Sequence, residues 1–121
     1  KSVKVYAPMY GFHQYHEAEP SAFLTEQTEL KLGSEEVRIL SVPGHSPDHV
    51  AFYIAKQKIV IGGDVLFRDS IGRTDLPGGN FDTLIRSIRG KLFTLPEDTV
   101  VYPGHGPETT IAYEKMHNPF L

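Results

Sequence analysis

Apolar and polar residues alternate in several short segments of this sequence, as they do in β-strands that have one buried face. The segments with this pattern are 2–7, 28–32, 37–42, 49–54 and 58–62. Pro8 ends the first of them, because proline has no backbone N–H for a strand ladder. Gly33 and the polar residues 55–57 provide turns between later segments. The pattern predicts one initial strand and then a meander of four short strands.

The second half of the sequence changes to a helical period. The apolar residues with this spacing are Leu84, Ile85, Ile88 and Leu92. Asn80 is a typical N-cap before them, and Pro96 stops the run. A short buried strand is predicted at 99–102, and a last helix at about 109–116. The order of elements predicts an α/β or α+β fold in which a mixed, mainly antiparallel sheet packs against two or three helices.

Residues 9–24 follow neither period and are rich in aromatic side chains, including Tyr10, Phe12 and Tyr15. The sequence predicts a long loop there, and loops longer than about 12 residues in a compact domain are often functional. Two interpretations of these aromatic residues stay open. They line an apolar wall of a substrate pocket, or they belong to a surface loop that packs on itself.

The composition is that of a globular domain, with 40% hydrophobic and 22% charged residues. Twelve Lys and Arg residues against fifteen Asp and Glu residues give a net charge of −3, which argues against a nucleic-acid partner. No apolar run approaches the roughly 18 residues of a membrane span, and no targeting leader is recognised. We therefore expect a cytoplasmic protein that does not bind membranes.

The sequence contains no cysteine and six histidines. Disulfides and cysteine-based metal sites are thereby excluded, so any metal chemistry must use His, carboxylate and water ligands. Three polar residues stand directly after predicted strands, each preceded by a glycine: His45, Asp64 and His105. Glycine lets the chain turn tightly at these points. Side chains at the ends of neighbouring strands can then converge although they are far apart in sequence.

A single histidine after a Pro-Gly turn is more often a surface turn residue than a metal ligand. The same arrangement at three strand ends favours one shared metal site made by His45, Asp64 and His105. Two imidazoles and one carboxylate suit Zn²⁺, and Fe²⁺ or Mn²⁺ less specifically. Two other histidines have structural interpretations. His49 begins a strand and is expected to form a hydrogen bond, and His117 lies near a helix C-terminus, where a cation is favourable.

Five motifs follow one another along the chain. They are Pro43–His49 (PGHSPDH), Gly63–Phe67 (GDVLF), Ile71–Asp75 (IGRTD), Tyr102–Pro107 (YPGHGP) and Asn118–Phe120 (NPF). This series resembles the metallo-β-lactamase superfamily, and within it the short relatives of hydroxyacylglutathione hydrolase, also called type II glyoxalase. The resemblance runs from about Thr28 to the last residue, and the ordered series is more specific than any one motif.

The resemblance implies an αββα sandwich with a dinuclear metal site at one edge of two packed sheets. By motif, His45 matches a histidine of the first metal and His105 the histidine of the second. Asp64 matches the catalytic carboxylate that bridges both metals. Two zinc ions per intact active site are implied, with iron or manganese as alternatives. A carboxylate has two oxygens and can hold two cations, which makes the bridging role chemically reasonable.

The family signature His-x-His-x-Asp-His is absent from this sequence. The nearest imitation has His13 and His16 but lacks the Asp-His pair. Because that signature supplies ligands to both metals in the family, we expect residues 1–121 to be a single partial domain, the C-terminal half of a longer protein. That longer protein is called the intact protein below. The 121-residue piece is expected to be inactive alone, and to self-associate or bind its missing half.

The resemblance implies that the intact protein is an enzyme, a dinuclear metallohydrolase that cleaves a small-molecule thioester. A hydroxide between the metals is available near neutral pH because bound cations lower the pKa of water to about 7. The leaving thiolate has a conjugate pKa near 8.5, so it needs little proton donation. Arg73 stands where the family has a substrate-binding lysine, and the alternative for Arg73 is a surface ion pair with Asp75. The use of glutathione stays open, because Asp75 replaces a family tyrosine.

Two other functions also stay open. Persulfide dioxygenases share the fold and a string like Gly72–Asp75 (GRTD). They use a single iron, held by the residues that match His45 and Asp64 among others. The third alternative is a non-catalytic folded fragment or binding domain that needs a partner half. Metal analysis together with oxygen consumption separates the dioxygenase from the hydrolase.

Overall fold

The computed structural model of the protein describes residues 6–8 and 22–121. Its strands are β1 (Tyr6–Pro8), β2 (Ala22–Leu24), β3 (Leu30–Leu32), β4 (Glu35–Ser41), β5 (Val50–Ile54), β6 (Ile59–Gly63), β7 (Leu66–Phe67), β8 (Ser70–Ile71), β9 (Val100–Pro103) and β10 (Thr109–Thr110). Its helices are α1 (Phe81–Gly90) and α2 (Ile111–His117), with the 3₁₀ turns η1 (Ala55–Gln57) and η2 (Leu92–Thr94).

The main sheet has six strands in the order β10-β9-β6-β5-β4-β3. All neighbours in it are antiparallel except β6 and β9, which are parallel. Strands β1 and β2 form a separate parallel pair, and β7 and β8 form a short antiparallel hairpin. The predicted fold class, a mixed and mainly antiparallel sheet with helices, is confirmed.

One face of the main sheet forms the core with the helices. Tyr53, Val60 and Val101 lie side by side on this face, on β5, β6 and β9. Leu84 and Ile88 of α1 are fully buried against it. Full burial of an aliphatic side chain contributes about 1.5–3 kcal/mol, so this face holds the helices on the sheet. The core consists of Leu40, Val42, Ala51, Tyr53, Val60, Val65, Leu66, Leu84, Ile88, Leu92, Leu95, Val101 and Ile111.

The opposite face of the sheet is also apolar. Ile39, Phe52, Ile61 and Tyr102 form one row across β4, β5, β6 and β9. Ile39 is buried, whereas Ile61 and Tyr102 are 45% and 42% exposed. These two neighbouring members of the row, Ile61 and Tyr102, are called the exposed row below. They present apolar surface near the ends of β6 and β9.

Helix α1 begins where the sequence predicts. The side chain of Asn80 accepts a hydrogen bond from the backbone N–H of Thr83 at 2.9 Å, which is a typical N-cap. The helix ends at Gly90, earlier than the apolar period suggests, and Leu92 lies in η2. Leu92 still reaches the core because a 3₁₀ turn continues the right-handed winding of the chain.

Helix α2 begins later than predicted. Thr109 and Thr110 form β10 against β9, and the hydroxyl of Thr110 then caps the helix by accepting from the N–H of Tyr113 at 3.1 Å. His117 lies on the last helical turn, as expected.

The predicted loop over residues 9–24 is wrong at its end, because residues 22–24 form β2 in parallel register with β1. Residues 9–21 lie outside the described residues, and with them Tyr10, Phe12, His13, Tyr15 and His16. Among the described residues, no helix has the length and apolar character that crossing a membrane requires.

Candidate functional site

The three predicted ligands lie at one edge of the main sheet. Strands β4 and β6 run in the same direction because both are antiparallel to β5, and β9 is parallel to β6. The C-terminal ends of all three strands therefore meet at the same edge. His45 lies in the turn after β4, Asp64 directly follows β6, and His105 follows β9 by two positions.

Asp64 lies between the two imidazoles. Nε2 of His45 is 3.6 Å from Oδ2 of Asp64, and Nδ1 of His105 is 3.5 Å from Oδ1 of the same carboxylate. Both distances are too long for good hydrogen bonds. They lie within the roughly 3.3–3.6 Å that separates two ligand atoms of a tetrahedral zinc ion with bonds of about 2.0–2.2 Å. The donor types and their spacing therefore fit divalent cations on either side of Asp64.

The three side chains meet as two His-Asp pairs, since each imidazole faces a different oxygen of Asp64. Within the described part of the chain, no group of three or more His, Asp or Glu side chains makes a complete metal site. These two His-Asp pairs, called the half-sites below, share one carboxylate, and the metal site expected from His45, Asp64 and His105 stays a prediction.

Helix α1 fixes the turn that carries His45. The hydroxyl of Ser87 donates to the carbonyl of Pro43 at 2.7 Å, and the N–H of Asn80 donates to the carbonyl of Gly44 at 2.8 Å. Gly44 has φ +136°, and a Cβ there would lie 2.3 Å from Cα of Leu84. Glycine is therefore required both for the backbone conformation and for the contact with the helix.

The turns of Asp64 and His105 are joined to each other. The N–H of Gly104 donates to the carbonyl of Gly63 at 2.9 Å, which extends the parallel pairing of β6 and β9 to the edge. A Cβ on Gly104 would lie 2.8 Å from Oδ1 of Asp64. The glycine before His105 thus makes room for the Asp64 carboxylate, in addition to allowing a turn.

Two contacts of the imidazoles are not visible in the sequence motifs. Nδ1 of His45 lies 2.9 Å from the backbone carbonyl of Arg73. The ring of Phe67 lies 4.7 Å from the ring of His105, centroid to centroid, at an interplanar angle of 37°. Because a carbonyl only accepts, His45 carries a proton on Nδ1, and Nε2 is the nitrogen that faces Asp64. Phe67 is part of the GDVLF motif, which marks the residue in the sequence but does not indicate its contact with His105.

Arg73 and Asp75 form an ion pair with two hydrogen bonds. Nε and Nη2 of Arg73 donate to Oδ1 and Oδ2 of Asp75 at 2.7 Å and 2.9 Å. These bonds lower the pKa of Asp75 from 3.8 to about 2. Both side chains are largely exposed. The surface ion pair that the sequence offered as one alternative is therefore present, and the substrate contact of Arg73 stays a prediction.

His49 has the structural role expected for it. Its Nε2 lies 2.9 Å from the carbonyl oxygen of Gly62, to which it donates. Its ring also meets the ring of His45 edge to face, with centroids 5.9 Å apart. His49 thus ties β6 to the start of β5 just before Asp64.

Comparison with known proteins identifies related sequences over most of the chain. The family model described as the metallo-beta-lactamase superfamily matches residues 3–105. The chain is 51% identical over 105 residues to the probable metallo-hydrolase YqgX of Bacillus subtilis, covering 86% of this chain and 50% of that protein. It is 47% identical over 103 residues to the hydroxyacylglutathione hydrolase GloC of Haemophilus influenzae, covering 84% and 49%. The chain thus spans about half the length of these curated relatives.

Solved structures share the fold. The BLEG-1 B3 metallo-beta-lactamase superposes with a TM-score of 0.90 at 38% identity, covering 98% of this chain and 65% of that one. The di-iron-bound form of TTHA1623 has a TM-score of 0.77 at 45% identity, covering 86% and 50%. ETHE1 from Myxococcus xanthus has a TM-score of 0.81 at 32% identity, covering 93% and 49%.

Proposed function

The chain belongs to the metallo-beta-lactamase superfamily, and from this membership we propose that the intact protein is a metal-dependent hydrolase of small-molecule thioesters. The observation that carries the proposal is the position of Asp64, which presents one oxygen to His45 and the other to His105. Relatives named metallo-hydrolase and hydroxyacylglutathione hydrolase support hydrolysis. A hydroxyacylglutathione is a thioester, which is why this substrate class is proposed.

Two cations are proposed, one held by His45 and Asp64 and the other by Asp64 and His105. The remaining ligands are proposed to come from the rest of the intact protein. Zinc suits imidazole and carboxylate ligands, and a neighbour solved with two irons supports iron as an alternative to zinc, as manganese is. Such cations, when bound, lower the pKa of water to about 7 and polarise an acyl carbonyl.

Asp64 is the proposed catalytic residue because it keeps the two half-sites at a fixed separation. His45 is oriented in advance by the Arg73 carbonyl, which holds the imidazole in the tautomer that a metal ligand needs. His105 is 77% exposed and has the Phe67 ring beside it. A ligand side chain that is already oriented loses less conformational freedom when a cation binds than a mobile side chain does.

The leaving group of thioester hydrolysis needs no proton donor from this chain. The leaving thiolate has a conjugate pKa near 8.5, so it departs without a dedicated general acid. Arg73 is the proposed substrate contact, because its guanidinium is exposed on the residue whose carbonyl orients His45. A guanidinium has five N–H donors and Asp75 takes two of them, so donors stay available for a substrate carboxylate.

The experiment is metal analysis of the intact protein together with two assays on a thioester and on a persulfide. Two zinc ions per chain with release of thiol from the thioester support the proposal. If the metal-loaded protein releases no thiol from any of a panel of acyl thioesters, the proposed hydrolase function is contradicted.

The runner-up is a mononuclear-iron persulfide dioxygenase, favoured by the GRTD string at Gly72–Asp75 and by the high exposure of His105. In that enzyme His45 and Asp64 are among the ligands and His105 is not needed. One iron per chain with consumption of oxygen would establish this alternative. If the intact protein shows neither thiol release nor oxygen consumption, the non-catalytic binding domain is favoured.

A further inference from the structure

The short hairpin formed by β7 and β8 reaches all three proposed ligands. Asp64 stands two residues before it. Phe67, on its first strand, packs on the ring of His105. Arg73, two residues after its second strand, accepts the hydrogen bond from His45. A displacement of this hairpin would therefore move groups that contact both imidazoles.

The hairpin is too short to hold this position by itself, because its strands have two residues each and only Leu66–Ile71 and Phe67–Ser70 are paired. Its turn also contains Asp69 at φ +62°, a left-handed conformation that is uncommon for a residue other than glycine. The fold must supply the missing support from outside the hairpin.

Helix α2 supplies it through Glu114 and through Asn118, the residue directly after the helix. Oε1 of Glu114 accepts from the backbone N–H of Asp69 at 3.1 Å, and Nδ2 of Asn118 donates to the carbonyl of Ser70 at 3.0 Å. Nδ2 of Asn118 also donates to Oε1 of Glu114 at 2.8 Å. The other oxygen of Glu114 accepts from the hydroxyl of Thr109. Asp69 of the turn and Ser70 of β8 are thus attached to one polar cluster.

The burial of this cluster makes it unusual. Glu114 is 0% exposed, Thr109 is 2% exposed and Asn118 is 5% exposed. A buried carboxylate is costly unless its oxygens are hydrogen-bonded, and here both oxygens have partners. A leucine would serve the packing of α2 at lower cost, so packing alone does not account for a glutamate at this position.

We propose that Glu114 and Asn118 are positioning residues of the metal centre, which hold the β7–β8 hairpin so that the Arg73 carbonyl and the Phe67 ring orient His45 and His105 toward Asp64. The inference rests on the proposed function, since it concerns the same three ligands. Neither residue touches a proposed ligand directly, so each acts through the hairpin.

Glu114→Leu and Glu114→Gln separate positioning from packing. Leucine fills the space but accepts no hydrogen bond from Asp69 or Asn118. Glutamine keeps an accepting oxygen for both, and its amide can donate to the Thr109 hydroxyl, which accepts as well as donates. Leu95→Ala is the control. It weakens the core beside a cavity that Leu95 lines together with Arg38 and Tyr53, away from the hairpin.

The first readout is the affinity of the intact protein for Zn²⁺, measured by competition with a chelator. We expect Glu114→Leu to bind Zn²⁺ about 10–100-fold more weakly, the range found when outer partners of metal ligands are lost. Glu114→Gln should stay within about threefold of wild type. Leu95→Ala should keep the wild-type affinity at temperatures where it is folded.

The second readout needs no metal. Nitrogen NMR of the histidine rings in the metal-free protein should show His45 as the Nδ1–H tautomer in wild type and Glu114→Gln, and as a mixture of tautomers in Glu114→Leu. Should Glu114→Leu fail to fold, Asn118→Ala removes the bond to Ser70 and is expected to give the same pattern.

Wild-type affinity and an unchanged His45 tautomer in Glu114→Leu or Asn118→Ala would overturn the inference. So would an affinity loss that follows the melting temperature and is equally large in Leu95→Ala, since it would show a merely structural role. If wild type binds no cation, the proposed function fails by itself. The tautomer measurement then still decides whether Glu114 positions the hairpin.

Discussion

The backbone carbonyl of Arg73 accepts a hydrogen bond from Nδ1 of His45 at 2.9 Å. Through this bond the residue proposed to contact substrate also orients a proposed metal ligand. A backbone carbonyl cannot be removed by substitution, but its position depends on Gly72, the residue before it. The N–H of Gly72 donates to the carbonyl of Val65 at 2.9 Å, which closes the base of the β7–β8 hairpin.

Gly72→Ala is expected to damage the metal centre. An added Cβ would lie 1.8 Å from the backbone oxygen of Asp64, so the chain must shift at Asp64 or at Arg73. We expect the affinity for Zn²⁺ to fall at least about tenfold in chelator competition, as it does when a hydrogen-bond partner of a metal ligand is lost. Gly90→Ala is the matched control, because a Cβ there meets no atom within 4 Å. It should leave metal binding unchanged and stabilise the helix end by up to about 1 kcal/mol. Equal metal affinity in the two variants would contradict the prediction.

His105→Ala is expected to remove one metal without weakening the fold. The side chain of His105 is 77% exposed, so its loss should change the free energy of unfolding by no more than about 0.5 kcal/mol. Metal analysis should show one cation per intact chain instead of two, with thioester hydrolysis lost. His117→Ala, another exposed histidine, should retain both cations. A His105→Ala variant that keeps two cations would exclude His105 as a ligand.

The Arg73–Asp75 pair is expected to persist over the whole neutral range. The hydrogen bonds from Arg73 lower the pKa of Asp75 to about 2. A carboxyl with a lowered pKa in the folded state stabilises the loop above its unfolded pKa, and this contribution is lost as the pH falls from about 4 through about 2. Carboxyl NMR should find the Asp75 midpoint near 2 in wild type and nearer 3.8 in Arg73→Gln. An Asp75 that titrates near 3.8 in wild type would show that the pair is not formed.

The exposed row is expected to make the 121-residue chain self-associate. Ile61 and Tyr102 are neighbours across β6 and β9 and are 45% and 42% exposed. Adjacent apolar side chains of this size favour contact with another apolar surface. Sedimentation of the 121-residue chain should show concentration-dependent association that Ile61→Lys reduces. Lys31→Glu, on an outer strand, serves as the charge-changing control. A monodisperse monomer at all concentrations would contradict this prediction.

Much of the fold follows from the sequence because its signals are local. The strand period predicted β3 to β6. Asn80 marked the start of α1 because its side chain accepts a hydrogen bond from the N–H of Thr83, three residues along the chain. The end of α1 was not predictable in this way, because Leu92 keeps the apolar period while the backbone changes to a 3₁₀ turn. The single partial domain over residues 1–121 stays a prediction.

The candidate site was partly predictable for a similar reason. His45, Asp64 and His105 each follow a glycine at a strand end, and the sheet order brings those ends to one edge. Their orientation was not predictable, because it depends on a backbone carbonyl at Arg73 and on the ring of Phe67. The cluster of Glu114 and Asn118 is a long-range contact, since Glu114 and Asp69 are 45 positions apart. A glutamate in a predicted helix gives no sign that it will be buried.

Whether Asp64 serves both cations is decided by the metal content of the intact protein and of its Asp64→Asn variant, measured together with thiol release from a thioester. Asparagine keeps the shape of Asp64 but lacks the second anionic oxygen that the two half-sites share. We predict two cations per chain and thiol release in wild type, and at most one cation without thiol release in Asp64→Asn. Two tightly held cations with unchanged hydrolysis in Asp64→Asn would show that Asp64 does not hold the two cations together.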